Sequence, residues 1–241
     1  WSFDGALSDI KQAIAIQDLP IYTQLEGDIH YLKQDYNSAL ASYKKVNESN
    51  IRSASTIFTE AKTLEMLETP AEEVLVLMDS CVAQFNKPYS ADAAPYLIER
   101  ARVRMEAKQA RNAVLDYDEC YAALLGNVND GFYNLRGQAC LESKQYQRAL
   151  DDFTKAIELN PRELTYYSEL AYVNMRVGRN QEAIDVLKKS LKIDAEYAEG
   201  YRLIGVAYLQ LKQNAEACEY FSKAKELGDT NVETLIEKYC K

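Results

Sequence analysis

The chain has 241 residues, a formal net charge of −9 and 47% hydrophobic residues, which supplies a core but argues against general nucleic-acid binding, where clustered Lys and Arg must replace phosphate counterions. Nine Gly and five Pro are too few for an all-β chain full of tight turns, so the expected class is all-α. No apolar run is long enough to span a membrane and the first residues lack a basic-then-apolar signal segment; any such segment would lie upstream, and the expected setting is soluble, cytoplasmic or periplasmic.

In chain order, residues 1–19 carry Ala6, Ile10 and Ala13 at helical spacing and read as half of a helical hairpin. A complete hairpin follows over 20–53, with Gly27 on its first helix and Ala39, Tyr43 and Val46 on its second. Residues 54–93 form the next, marked by Ile57, Ala61 and Leu64, then Val74, Met78 and Cys81. Pro70 is expected to open its second helix behind Thr69 as N-cap. The stretch from Asn86 to Pro95, NKPYSADAAP, reads as an extended connection and a candidate mobile or binding loop.

Residues 94–129 hold Leu97, Ala101, Arg104, Ala113, Tyr117 and Cys120; Gly126 and Asn127 end them, and Asp130 is placed to cap the next helix. The most regular hairpin, 130–163, has Tyr133, Gly137 and Cys140, then Ala149, Phe153 and Ala156, and closes at Pro161. Tyr167, Ala171, Asn174, Ala183, Leu187 and Ser190 mark 164–197; Tyr201, Gly205, Tyr208, Ala217, Phe221 and Ala224 mark 198–229. Residues 230–241 read as a C-terminal capping helix: Thr230 and Glu233 have capping-box spacing, with Leu235, Ile236 and Tyr239 facing inward.

The small first-helix residues Gly27, Ala61, Ala101, Gly137, Ala171 and Gly205 are spaced by 34, 40, 36, 34 and 34. Two helices that cross closely tolerate only a small side chain at the crossing, and the neighbouring aromatic fills the remaining hole. This pattern resembles the tetratricopeptide repeat, W-x2-L-G-x2-Y, then A-x3-F, then P. The match here is Tyr133-x2-Arg136-Gly137-x2-Cys140, Ala149-x3-Phe153, Pro161, and again Tyr201-x2-Ile204-Gly205-x2-Tyr208, Ala217-x3-Phe221. The resemblance implies a right-handed superhelical α-solenoid of tandem helix-turn-helix repeats whose first helices line a concave groove. Each hairpin buries its apolar face against its neighbours and the ends need covering. Trp1, Phe3 and Leu7 are expected to leave an apolar edge bare.

No catalytic, metal or cofactor constellation emerges. His30, the single histidine, falls on a packing position. Cys81, Cys120, Cys140, Cys218 and Cys240 are widely spaced and odd in number, which suggests neither a disulfide framework nor a zinc site; four are expected to pack as small apolar groups and Cys240 to be exposed. Adjacent carboxylates such as Asp151 and Asp152, or Glu72 and Glu73, point to different sides of a helix, as solvated or dipole-compensating groups. An enzyme would need a pocket near Asn86 to Pro95 that nothing else suggests.

Binding is therefore the expected function. A second face of each first helix should line the groove: Gln24, Asp28 and Tyr31; Phe58, Lys62 and Glu65; Ile98, Arg102 and Met105. It continues with Asn134, Gln138 and Leu141; Ser168, Tyr172 and Met175; Arg202, Val206 and Leu209. Amides, aromatics and Met with few charges suit a protein or peptide segment, centred on Gln138, Tyr172 and Arg202. Met105, Leu141, Met175 and Leu209 would equally serve as packing between first helices. The Lys and Arg set with which some family members hold a C-terminal carboxylate is absent, the corresponding positions offering Asn134, Gln138, Ser168, Tyr172, Glu199 and Arg202. The reading is a non-catalytic interaction scaffold without cofactor, nucleic-acid partner or membrane insertion. The alternative is a structural segment of a longer repeat protein that makes contacts, self-association included, through its Trp1 edge.

Overall fold

The computed structural model describes residues 2–48, 53–85 and 90–240. Among them are fourteen α-helices, two short 3-10 turns and no strand, an all-α solenoid of helical hairpins. Two compact units divide the chain, Trp1–Asn127 and Val128–Lys241. In the first, α1 (Phe3–Ile16) precedes three hairpins: α2 (Pro20–Leu32) with α3 (Tyr36–Glu48), α4 (Ala54–Met66) with α5 (Ala71–Val82), and α6 (Ala94–Glu106) with α7 (Ala110–Ala123). The second holds α8 (Asp130–Glu142) with α9 (Tyr146–Leu159), α10 (Leu164–Arg176) with α11 (Asn180–Ile193), and α12 (Ala198–Gln210) with α13 (Asn214–Glu226), followed by α14 (Glu233–Tyr239). Within each unit every α-helix packs on the next in sequence, and in the second unit α8, α10 and α12 also touch in succession.

The small-plus-aromatic rule explains the hairpin cores. A Cβ added to Gly27 would lie 2.7 Å from Tyr43 Cε1, and one on Gly137 would lie 2.9 Å from Phe153 Cε1. Both rings are fully buried, so the first helix approaches the second to a distance that only glycine permits. Where Ala replaces Gly, at Ala61, Ala101 and Ala171, the methyl group is itself fully buried.

All six hairpins turn in the same way. The second residue after each first helix takes a left-handed conformation: Gln34 (φ 62°), Glu68 (55°), Lys108 (57°), Lys144 (63°), Gly178 (80°) and Lys212 (61°). The following amide then reaches back five residues, as in Gln145 N to Cys140 O at 2.7 Å and Arg179 N to Asn174 O at 2.8 Å. This is the Schellman closure, which satisfies carbonyls that the helix end leaves open.

Several sequence expectations change at the helix ends. Pro70, not Thr69, is the N-cap of α5. Asn129, not Asp130, caps α8, its Oδ1 accepting from Phe132 N at 2.9 Å, while Asp130 accepts from Asn160 Nδ2 and Tyr166 Oη. Thr230 and Glu233 form no capping box: Asp229 Oδ1 accepts from Asn231 N at 2.8 Å, Thr230–Val232 is a 3-10 turn, and Val232 is the buried residue of that turn. The connection from Asn86 to Pro95 is not extended throughout, since Ala91–Ala93 form a 3-10 turn and α6 begins at Ala94; residues 86–89 lie outside the described set. Trp1 also lies outside it, and Leu7 is buried rather than bare, with Phe3 48% exposed.

Two further corrections concern chemistry. Asp152, expected on a solvated face, is buried and accepts from Arg136 Nε at 2.9 Å and Nη2 at 2.7 Å. One hairpin earlier, Asp116 accepts from Arg100 Nε at 3.1 Å and Nη2 at 2.6 Å, and Arg104 Nη1 adds a bond at 2.6 Å. Burial pushes the Asp116 carboxyl up, and the guanidinium of Arg100 works against that push. Cys218 and Cys240 are joined in a disulfide, which ties the end of α14 to α13; Cys81, Cys120 and Cys140 are buried thiols outside any disulfide. Burial raises the Cys81 and Cys120 thiols to about 11, so both stay protonated.

Candidate interaction surface

The second face of the first helices is half-buried rather than open. In the first unit, Asp28, Tyr31, Phe58, Lys62, Arg102 and Met105 all have intermediate exposure. Neighbouring first helices are joined by polar side chains: Thr56 Oγ1 donates to Gln24 Oε1 at 3.0 Å. Between α4 and α6, Lys62 Nζ lies 2.6 Å from Glu65 Oε2 and 3.4 Å from Glu99 Oε2. Arg102 bonds to Glu65, Glu99 and Glu106. Burial acts against the charge of Glu99, yet Arg102 and Lys62 hold its carboxyl below the ordinary range.

Four of these predicted residues, Asp28, Tyr31, Phe58 and Lys62, come together in one cavity of about 360 Å³. α2 contributes Asp28, Tyr31 and Leu32, and α4 contributes Phe58, Thr59 and Lys62. Tyr43 of α3 completes the wall, and its hydroxyl donates to Asp28 Oδ1 at 2.8 Å. Burial first, and the Asp28 carboxylate second, keep that hydroxyl protonated far above the usual range. The lining is mostly carbon, so the cavity combines an apolar interior with one carboxylate and one ammonium at its edge. From helical spacing Tyr43 belongs only to the core, and Leu32 and Thr59 to neither role. The ring beneath Gly27 carries its hydroxyl to Asp28, the next residue of α2, and that adjacency is the signal that could have found Tyr43.

In the second unit the predicted residues divide differently. Ser168 and Met175 are buried, and Met175 joins Ala171, Ile184 and Leu187 in an apolar cluster. Tyr172 is 43% exposed, while Asn134, Gln138, Leu141, Arg202, Val206 and Leu209 are half-buried. Gln138 Nε2 donates to Glu169 Oε1 at 3.1 Å, which links α8 to α10. Arg202 is taken up by Glu199 at 2.9 Å and Asp229 at 2.8 Å. It borders a second, polar cavity of about 400 Å³ shared with Glu199, Gly228, Asp229 and Asn231. Burial raises the Glu169 carboxyl; Gln138 opposes that, and Glu199 and Glu142 add to it.

Among the described residues no group of His, Cys, Asp or Glu side chains is arranged to hold a metal ion, and no helix is long and apolar enough to cross a membrane. His30 sits beside Asp35, Nδ1 to Oδ2 3.1 Å.

The hairpin geometry and the sequence period agree with comparisons to known proteins. Residues 132–163 match the family described as tetratricopeptide repeat, 175–212 match a TPR repeat profile, and 198–227 match a further tetratricopeptide repeat profile. The chain carries tetratricopeptide repeats, recognised within residues 132–227. Small glutamine-rich tetratricopeptide repeat-containing protein 2 of Mycosarcoma maydis is 33% identical over 95 residues, which is 39% of this chain and 27% of that protein. Hsp70-Hsp90 organizing protein 2 of Arabidopsis thaliana is 30% identical over 237 residues, 97% of this chain and 40% of that protein. The chain thus spans roughly a quarter to two fifths of the length of these relatives.

Among solved structures, the C-terminal part of a TPR repeat-containing protein from Cytophaga hutchinsonii superposes with a TM-score of 0.76 at 14% identity, over 98% of this chain and 93% of that one. YrrB, described as a TPR protein with an unusual peptide-binding site, superposes with a TM-score of 0.62 at 19% identity, over 81% and 97%. These likenesses are of fold.

Proposed function

We propose that this chain is a protein-interaction scaffold that holds a protein or peptide segment on the face formed by α2, α4 and α6, without catalysing a reaction. The observation that carries the reading is the cavity between α2 and α4, where Asp28, Tyr31 and Lys62, chosen from helical position alone, meet around about 360 Å³ of space. That size accepts one or two side chains of an extended or helical segment. The likeness to co-chaperone organisers and to a protein described as having a peptide-binding site supports the same class of role.

The test is selection of phage-displayed dodecapeptides on the intact chain. Peptides enriched on the wild type should be lost on the Tyr31→Ser/Phe58→Ser variant, with helicity unchanged by circular dichroism. Alanine at Gln138, Tyr172 and Arg202 tests the corresponding face of the second unit in the same screen. Enrichment that survives both sets of substitutions would show that the first-helix faces are not where segments bind.

A second reading, self-association through α1 and α2, is supported by Phe3 (48% exposed), Ile16 (87%) and Ile21 (53%). Sedimentation over a range of concentrations decides it: an invariant monomer would remove it.

A further inference from the structure

The cavity between α2 and α4 has the composition of a cation site. Three of its walls are aromatic, Tyr31, Tyr43 and Phe58. Each is held by a second group: Tyr31 lies edge-on to Tyr36 at 5.5 Å, Phe58 edge-on to Tyr96 at 5.2 Å, and Tyr43 by its hydrogen bond to Asp28. Aromatic rings offer the negative face of their quadrupole to ammonium and guanidinium groups, and the attraction grows as the site is shielded from water. Asp28 adds a full charge. Its recorded partner is the neutral Tyr43 hydroxyl, and among the described residues no cation pairs with it. The one cation of the lining, Lys62, is drawn to the other side by Glu65 and Glu99. Counting the adjoining network, four carboxylates (Asp28, Glu65, Glu99, Glu106) face two cations (Lys62, Arg102).

We propose that this cavity takes the ammonium or guanidinium side chain of a Lys or Arg carried by the docked segment, with Tyr31, Tyr43 and Phe58 as its walls and Asp28 as the counter-charge. The proposal rests on the interaction reading above and states its chemistry: the partner segment is basic, in keeping with the acidic balance of the chain, −9. A purely apolar pocket would need no carboxylate among its walls, and a carboxylate partnered only by a neutral hydroxyl pays for lost hydration when a segment docks over it. A bound cation removes that cost.

Three fluorescein-labelled nonapeptides on one frame, Gly-Ser-Leu-Ser-X-Ser-Leu-Ser-Gly with X as lysine, norleucine or glutamate, test it by fluorescence polarisation at low and moderate salt. Lysine should bind best, about tenfold better than glutamate at low salt, with the margin narrowing as salt rises. Asp28→Asn keeps an acceptor for the Tyr43 hydroxyl and should erase the preference for lysine over norleucine. Tyr31→Leu should weaken the lysine peptide and leave norleucine unaffected. Norleucine binding as well as lysine would overturn the cation site while leaving the interaction reading in place. Failure of all three peptides, on a wild type whose circular dichroism is intact, would overturn both.

Discussion

Gly137 provides the sharpest test of how the hairpins are held together. Replacing it with alanine places a Cβ 2.9 Å from Cε1 and 3.1 Å from Cδ1 and Cζ of Phe153, all inside ordinary contact distance. Phe153 is fully buried, so its ring can yield only by disturbing its own neighbours. Overpacking of this kind costs about 1–3 kcal/mol, against which the better helix propensity of alanine returns about 1 kcal/mol. The net expectation is a loss of up to about 2 kcal/mol, and roughly 3 kcal/mol or more for Gly137→Leu. Gly131 is the control, because it lies in the same helix and a Cβ there meets only Asn129 Oδ1 at 3.6 Å; Gly131→Ala should be neutral or stabilising. Urea denaturation followed by far-UV circular dichroism measures all three. Phe153→Leu in the Gly137→Ala background should recover part of the loss, a coupling that appears only if the two sites share the contact. A Gly137→Leu protein as stable as the wild type would refute the close-approach account of the repeat.

Four further outcomes follow from the same structure. Arg136→Ala should cost about 3–5 kcal/mol, because it strands the buried Asp152 carboxylate; Arg136→Leu with Asp152→Val should recover most of that, since the corresponding positions two helices on are Leu170 and Val186. Reduction of Cys218–Cys240 with a phosphine, or Cys240→Ser, should lower the stability of the second unit by about 3 kcal/mol, the effect expected for a closed loop of this length, and a melting curve indifferent to reductant would show that α14 holds without the bond. Glu169 has its pKa raised in the folded chain by burial, so the folded state binds this proton more tightly and folding is favoured at acid pH and loses that advantage as pH rises through the folded pKa; Glu169→Gln, which keeps the acceptor for Gln138, should therefore raise the melting temperature at neutral pH, with the gain vanishing at acid pH where wild-type Glu169 is already protonated. Lys144→Gly should stabilise by about 0.5–1 kcal/mol, because the left-handed conformation at φ 63° strains any residue with a Cβ, and hydrogen exchange at the α8–α9 turn would locate the gain.

The period was legible because it rests on volume. Gly27, Gly137 and Gly205 face Tyr43, Phe153 and Phe221, and no larger residue fits, so a constraint of packing is written directly as a residue type. The turns were not legible for the opposite reason. The left-handed residues Gln34, Glu68, Lys108, Lys144, Gly178 and Lys212 keep the spacing of the small residues, yet one of the six is glycine. The Schellman bonds and the packing of both helices impose the conformation, and a penalty of about 1–2 kcal/mol per turn is small enough for any side chain to carry. Position, not identity, defines these turns.

The buried ion pairs follow the same logic one step further. Arg100 with Asp116 and Arg136 with Asp152 occupy places that other hairpins fill with Leu170 and Val186, or Ile204 and Tyr220. Either solution closes the contact, so no single-position rule distinguishes a buried Asp from an exposed one; the arginine sixteen residues earlier does. The interaction face shows both the reach and the error of helical arithmetic. An offset from the packing stripe found Asp28, Tyr31 and Lys62, but carried through to α10 it also selected Met175, which packs on Ile184 and Leu187. Ser168 and Met175 are buried on α10, which touches first helices on both sides, α8 and α12, while Tyr172 on the same helix stays exposed. The Cys218–Cys240 bond depends on still longer-range geometry: α14 must fold back on α13 before the two sulfurs meet, and that return is set by Val232, Leu235 and Ile236 packing on Phe221 and Ala224. Cysteine spacing is silent about it, whereas those three apolar residues, read together with the cysteine that follows them, already place Cys240 against α13.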